Sequence, residues 1–304
     1  MFPRALKLLL LPLLLVEGGL AADKRIVLIA GSRSHGPGDH EFRAGCLLIQ
    51  QCLNRVPGLV STVYSNGWPT RFAGETPVDD ATAFEDAAAV FIYADGGDGH
   101  PAIRPERLKL IDRLVAKGVG VGCAHYAVEV PQGEPGEAML RWTGGYFEMH
   151  WSVNPHWDGE FKALPNHPVT RGVQPFKIRD EWYYHMRFPE GMKGVTPILT
   201  ALPPTNTLDR IDGPHSGNPF VRAAIARGEP QHVMWVFERP NGSRGFGFTG
   251  GHFHHNWGDD NFRKLVLNAI VWMAKADVPA RGLACEIAPA QLAENLDPKE
   301  KSNR

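Results

Sequence analysis

Between Arg25 and His125, short apolar runs alternate with amphipathic stretches, and this alternation restricts the fold more than any other feature of the chain. "RIVLIAG" (25–31) is β-branched, closed by glycine, and too short for a core helix, so it reads as a buried strand. "EFRAGCLLIQQCLNRV" (41–56) places Phe42, Cys46, Ile49 and Leu53 on one helical face. "LVSTVYS" and "AAAVFIYAD" read as the second and third strands. "RPERLKLIDRLVAKG" is an amphipathic helix with Gly118 as its stop signal, and "VGVGCAH" is the fourth strand. Strands separated by helices pair in parallel through right-handed crossovers, which puts helices on both faces. An α/β protein on an open, mostly parallel sheet is therefore expected.

After Ala127 the rhythm stops. Residues 127–166 are rich in Gly, Pro and Trp and have no clean period, so they read as a long ordered excursion over the sheet. Such loops in compact domains usually carry function. Strand signals resume in "FKIRDEWYYHMRF", "GVTPILTAL", "QHVMWVFERP" and "SRGFGFTGG", and a closing helix is expected from about Asp260 to Ala274. The expected organisation is a leader over 1–22, one domain over 23–276 and a partly ordered tail over 277–304.

The leader rests on a three-part pattern. Arg4 and Lys7 precede an apolar run from Leu8 to Val16, and small residues follow at Ala21 and Ala22. That is the form of a secretory signal peptide, and the run is too short for a permanent span. A secreted or periplasmic protein is expected. The four cysteines, Cys46, Cys52, Cys123 and Cys285, form no CxxC pair, and Cys46 and Cys52 do not share a helix face, so no disulfide is expected. A formal net charge of −1 offers no surface for a polyanion, which argues against nucleic acid as a partner.

In open parallel sheets, ligands bind at the carboxyl ends of the strands. The polar residues of this chain collect there. His35, Asp39, His40 and Glu41 follow the first strand, and Asp95, Asp98 and His100 the third. His125 and Tyr126 follow the fourth, "DEWYYH" supplies Asp180, Glu181 and His185, and "TGGHFHHNWG" supplies His252, His254 and His255 after the last. His100 and His232 are read as ordinary hydrogen-bonding residues. Two chemistries fit such a cluster. One is a transition-metal site, zinc favoured, with His125, His252 and His254 as ligands, the last two sharing a side if the segment is extended. HExxH is absent, so the site is not of that type. The other is a Cys123 nucleophile on a strand-to-turn elbow. Val121 and bulky His125 stand where such an elbow needs small residues, which disfavours it.

The stretches "RIVLIAGSRSHGPGDHEFRAG", "GVGVGCAHYAVEVP", "IRDEWYYHMRF" and "RGFGFTGGHFHHNW" resemble the ThuA-like (trehalose utilisation) family over about Arg25 to Ala276. The resemblance is carried by His125, Glu181, Trp182 and Gly251-His252. It implies a class I glutamine amidotransferase-like fold without that fold's catalytic triad. It also implies a role in disaccharide use, often beside sugar oxidoreductases, with keto-sugars as substrates. The signal peptide and the Trp-rich excursion depart from the short members, so a cytoplasmic trehalose role does not transfer directly.

The expected function is a carbohydrate-active enzyme on a keto-sugar or glycoside: a hydrolase, lyase or isomerase. His125, Glu181 and His252 are the expected catalytic residues. His35, His40, Tyr126, Trp151, Trp182 and His185 are expected to bind substrate, and Trp142 and Trp157 are further candidates for stacking on sugar rings. The alternative is a non-catalytic carbohydrate-binding pseudoenzyme. N-terminal sequencing of protein from the native host is expected to begin near Ala22 or Asp23; an intact Met1 on the mature protein would count against export.

Overall fold

The computed structural model describes residues 23–300, so the leader lies outside the described residues. Eleven strands and six α-helices follow in order: β1 (Lys24–Ala30), α1 (Phe42–Leu53), β2 (Leu59–Tyr64), β3 (Thr70–Ala73), β4 (Thr76–Asp79), β5 (Ala87–Tyr93), α2 (Pro105–Ala116), β6 (Gly120–Ala124), α3 (Glu134–Trp142), β7 (His156–Phe161), β8 (Phe176–Glu181), β9 (Val195–Ala201), α4 (Pro219–Ala226), β10 (Gln231–Glu238), β11 (Arg244–Phe248), α5 (Asp260–Met273) and α6 (Pro289–Leu292).

The main sheet has seven strands in the order β2-β1-β5-β6-β11-β10-β9. Pairing is parallel from β2 through β11, and β10 runs antiparallel to both its neighbours. The central strands are buried on both faces, which is why they read as continuous apolar runs rather than alternating ones. One core cluster packs α1 and α5 against the sheet through residues such as Phe42, Ile49, Leu265 and Ile270. The other packs α2 and α3 on the opposite face through Leu108, Ile111, Met139 and Trp142.

Three expectations change. The excursion is not irregular throughout. It contains α3, whose buried Ala138, Met139 and Trp142 form one face, with Pro135 inside the first turn and Gly136 obscuring the period. It also contains β7, which alternates exposed and buried residues. β7 pairs antiparallel with β8 in a separate two-stranded sheet, so "FKIRDE" is not a strand of the main sheet. Its charged residues exclude it from a sheet buried on both faces.

The second correction concerns the cysteines. Cys52 on α1 is bonded to Cys285, 233 residues away. The spacing along the chain gives no hint of this pair, because the packing of the tail against α1 brings the two together. Cys46 and Cys123 are free and buried.

Third, the segment after 276 is fastened at several points. The Asn268 carboxamide accepts from Leu283 N, and Arg263 donates to the Cys285 carbonyl. Farther on, Lys299 Nζ meets Glu41 Oε1 at 3.1 Å, with both side chains buried, and also reaches the Asp39 and His40 carbonyls. Among the described residues no helix is long and apolar enough to cross a membrane.

Removing the Cys52–Cys285 bridge frees a very long loop in the unfolded chain. Cys285→Ser is expected to lower unfolding free energy by about 2–5 kcal/mol, read from guanidinium denaturation under non-reducing conditions. A variant matching the wild type would show that the bridge does not hold the tail.

Candidate functional site

The carboxyl edge of the main sheet brings His40, His125, Glu181 and His252 together, each offering one ligand atom within 4.8 Å of the others. His40 Nε2 lies 3.0 Å from His125 Nε2 and 3.0 Å from His252 Nδ1. Glu181 Oε2 lies 3.1 Å from His252 Nδ1 and 3.5 Å from His125 Nε2. His125 is wholly buried, and His40 and His252 nearly so.

Local backbone explains the convergence. Loops 38–40 and 252–254 are laced antiparallel: His40 N donates to the His252 carbonyl and His254 N to the Gly38 carbonyl, with a bridge between Asp39 and Phe253. His125 sits at the first turn after β6 with φ 52°, and His40 has φ 47°. Such left-handed backbone at non-glycine residues costs roughly 1–3 kcal/mol each and persists where surrounding structure enforces it. Gly251, at φ 113°, has backbone that side chains rarely adopt, and it turns the chain so that His252 enters the cluster.

Asp180 holds this arrangement from below. Fully buried, it accepts from Gly251 N at 2.8 Å, His252 N at 3.0 Å, Asn256 Nδ2 at 2.9 Å and Glu181 N at 2.8 Å. The carboxylate thus ties the end of β8, which carries Glu181, to the loop that carries His252. Burial still raises its pKa against those donors.

The outer ring nitrogens fix the tautomers. His125 Nδ1 lies 3.0 Å from the Thr249 carbonyl, which only accepts, so Nδ1 bears the proton and Nε2 is a lone pair. His40 Nδ1 faces Asp95 Oδ1 at 3.3 Å, and His252 Nε2 faces Asp39 Oδ1 at 3.7 Å. The same logic makes His40 Nε2 an inward lone pair, whereas His252 Nδ1, 3.1 Å from Glu181 Oε2, carries a proton toward that carboxylate when no ion is bound. Two lone pairs, a carboxylate oxygen and a His252 nitrogen that can ligate by giving up its proton thus surround one point. Burial, reinforced by neighbouring imidazoles, holds His40 and His125 well below the ordinary imidazole value, so they stay neutral. Burial also acts to lower His252, but its hydrogen bonds to Asp39 and Glu181 prevail and push it up to about 9. For Glu181, the penalty of burial is outweighed by His252 and His125, which hold its carboxyl below the usual range.

The donor set also has the dimensions of a metal site. Ligand atoms around a tetrahedral zinc with bonds of about 2.0–2.1 Å stand about 3.3–3.4 Å apart. The four close contacts in this cluster run from 3.0 to 3.5 Å. His40 and His125 hand their outer N–H groups to oxygens, the arrangement that orients metal-ligating histidines, and the outer nitrogen of His252 faces Asp39.

His254 is not among them. The chain enters a 3-10 turn at His254, so positions 252 and 254 cease to share a side, and the buried His254 ring lies beside Glu41 and the Leu292 backbone. His40 takes the place expected of it. His255 is exposed and stacks on Phe253.

A cavity of about 250 Å³ opens beside the cluster, lined by His35, His40, Tyr126, Asn154, Glu181, Tyr183, Arg210 and His215. The tryptophans expected to stack on sugar do not line it. Trp182 is wholly buried against Phe161, Phe248 and Phe262, and Trp142 is pinned to Asp112 in the core. Trp157 donates to the Trp182 carbonyl. Trp151 is covered by the Arg187 guanidinium and stacked on His185, which holds both residues in a separate cluster. Aromatic surface in the cavity comes instead from Tyr126, Tyr183 and the imidazoles. His100 and His232 make ordinary hydrogen bonds to the Ala127 carbonyl and Thr200. Cys123 is wholly buried, and burial pushes its thiol up, so it offers no accessible thiolate. A larger cleft of about 580 Å³ beyond β7 and β8 is lined by Lys162, Lys177 and Arg179 among others, and meets the flank of the imidazole cluster at His156, whose ring packs on His252.

Tyr183 sits inside the "DEWYYH" stretch but is not singled out there, and Arg210, Asn154 and His215 carry no motif. They lie in segments that only the folded chain brings to the sheet edge. His156, whose Nε2 is 3.8 Å from Glu181 Oε1, was likewise hidden in the excursion.

Known proteins share this architecture. The trehalose-utilisation (ThuA) family matches residues 76–273, a stretch that holds His125, Glu181 and His252 but not His40. A ThuA-like protein from Bacteroides uniformis ATCC 8492 is similar in structure, with a TM-score of 0.56 at 14% identity over 86% of this chain and 96% of that one. Another, from Parabacteroides merdae ATCC 43184, has a TM-score of 0.53 at 18% identity over 84% and 92%. A glutamine amidotransferase from Thermotoga maritima is more distant, with a TM-score of 0.44 at 10% identity over 84% and 100%. Among curated proteins, none matches the chain.

Asp180→Ala would strand the Gly251 and His252 amides in a buried setting. The expected loss is about 3 kcal/mol or more, since each unsatisfied buried donor costs about 1–3 kcal/mol, read from denaturant unfolding. A change below about 1 kcal/mol would mean the loop is held by other contacts.

Proposed function

Since the chain belongs to the ThuA family, we propose that His40, His125, His252 and Glu181 hold a divalent ion, zinc favoured, in an enzyme acting on a carbonyl-bearing carbohydrate. The substrate class is a keto-sugar or its glycoside. The observation that carries this reading is the convergence of three imidazole nitrogens and one carboxylate on a common point, at the spacing of metal ligands. Nitrogen and oxygen donors of this kind suit zinc and its neighbours. Such an ion supplies Lewis acidity toward a carbonyl oxygen.

The chain's own residues provide the remainder. Tyr183 Oη lies 3.3 Å from His125 Nε2, and burial raises its pKa far enough that the phenol keeps its proton as a donor. Arg210, Asn154 and Tyr126 present the mixed donors and acceptors that sugar hydroxyls require. A keto-sugar is formed by oxidation of a sugar hydroxyl, so a sugar oxidoreductase is the expected upstream partner. Export is part of the proposal. The Cys52–Cys285 bridge supports it, because disulfides persist in oxidising compartments.

Protein purified without a histidine tag is expected to carry about one equivalent of metal by elemental analysis, for the single four-ligand set. His125→Ala is expected to lose the metal and, with it, conversion of a keto-glycoside such as methyl 3-keto-glucoside. Wild type without metal would sink the metal site. Bound metal with no turnover of any keto-sugar would favour the carbohydrate-binding reading instead.

A further inference from the structure

Facing the cluster across the cavity is a second group of residues with no part in holding an ion. His215 enters from the loop between residues 209 and 218, and its Nε2 lies 2.9 Å from Glu129 Oε1. Glu129 is buried, just past the turn that follows β6. Its backbone is fixed at both ends: its N–H donates to the Tyr126 carbonyl and its carbonyl accepts from Gly97. The His215 ring stacks on Phe147 at 5.5 Å, and its carbonyl accepts from Asn154 N and from Arg210 Nη2. The imidazole is thus held in one orientation by contacts on several sides.

A carboxylate only accepts, so Nε2 carries the proton and Nδ1 is left as the basic nitrogen. Nδ1 makes no hydrogen bond among the described residues, and the ring is one-third exposed where it lines the cavity shared with His40 and Glu181. An imidazole oriented by a buried carboxylate, lining a ligand cavity and with its other nitrogen free of hydrogen bonds, has the form of an acid/base catalyst.

We infer that His215, oriented by Glu129, is the general base that removes the proton from the carbon next to the substrate's carbonyl group. The inference rests on the keto-sugar reading above. The carbon–hydrogen pair becomes the carbon–carbon double bond of an enolate, the carbonyl π pair moves onto oxygen, and the proton goes to Nδ1. The imidazolium then returns that proton to the same carbon, completing an epimerisation when it adds to the opposite face, or, once the hydroxyl proton has passed from one enediolate oxygen to the other, to the former carbonyl carbon, completing an isomerisation with no external oxidant. Glycosidic hydrolysis is a different task for the same site and needs no such base.

The charges around the ring are suited to the role. The hydrogen bond to Glu129 is the largest influence and raises the His215 pKa against the opposing effect of burial. Glu181 adds to the rise and Arg210 opposes it, while Tyr126 and His35 complete the titratable lining. A base must be deprotonated, so kcat/KM is expected to rise through the His215 pKa on the acid side. Removing the charge of Glu129 lowers that pKa and moves the acid limb to lower pH.

The test is deuterium wash-in to methyl 3-keto-glucoside in D2O, followed by proton NMR, with metal content measured on the same samples. Wild type is expected to exchange the proton beside the ketone. His215→Gln is expected to slow exchange by about 100-fold or more while retaining the wild-type metal content. Glu129→Gln is expected to slow it less and to shift the acid limb downward, an effect a merely structural contact would not produce. Exchange by His215→Gln at the wild-type rate, or an unmoved limb in Glu129→Gln, overturns the base assignment alone. No exchange by metal-loaded wild type overturns the keto-sugar reading, and the inference falls with it.

Discussion

A single carboxylate, that of Asp180, organises the carboxyl edge of this protein. It gathers N–H donors from Glu181, Gly251, His252 and Asn256 into one buried hub. Through that hub the small β7–β8 sheet is joined to the loop leaving the main sheet. Glu181 and His252 can meet only because both backbones answer to the same two oxygens. A side-chain acceptor does here what a ladder of strand hydrogen bonds would do elsewhere, and it does so where the backbone must turn too sharply for a ladder.

The cluster above the hub is a crowding of like groups, eased by the proton that His252 shares with Glu181. In water, imidazoles so placed would turn their ring nitrogens toward solvent. Here Thr249, Asp95 and Asp39 hold the outer edges, and the rings cannot turn away from one another. The left-handed backbone at His40 and His125 has the same cause, since relaxing either would remove its ring from the centre. Local strain and crowded nitrogens are thus two signs of one construction.

Much of the fold was legible because the central strands are buried on both faces, and such strands announce themselves as unbroken apolar runs. The parallel order of β1, β5 and β6 followed from strand-to-helix alternation alone. α3 was not legible, because Pro135 and Gly136 interrupt a face that its packing partners complete. The disulfide was invisible for another reason. Nothing local marks Cys52 and Cys285 as neighbours, and only the course of the tail does. For the candidate site, the rule that ligands gather at strand ends located His125, Glu181 and His252. It could not foresee that the backbone would coil at His254, which leaves His40 rather than His254 beside the other three side chains. Nor could it separate tryptophans that fill the core from aromatic rings that face a cavity, since both occur in the same Trp-rich stretch.

The ion pair between Lys299 and Glu41 has a consequence for timing. The loop it braces carries His40, and the lysine lies 259 residues later in the chain. Ribosomes add about 5–20 residues per second, so His40 waits roughly 10–50 s between its own synthesis and the arrival of the residue that steadies it. Throughout that interval the nascent chain holds an unfinished constellation of imidazoles. The order of manufacture therefore delays completion of the cluster until the chain is almost wholly made, so its histidines are set in place by one of the last residues synthesised.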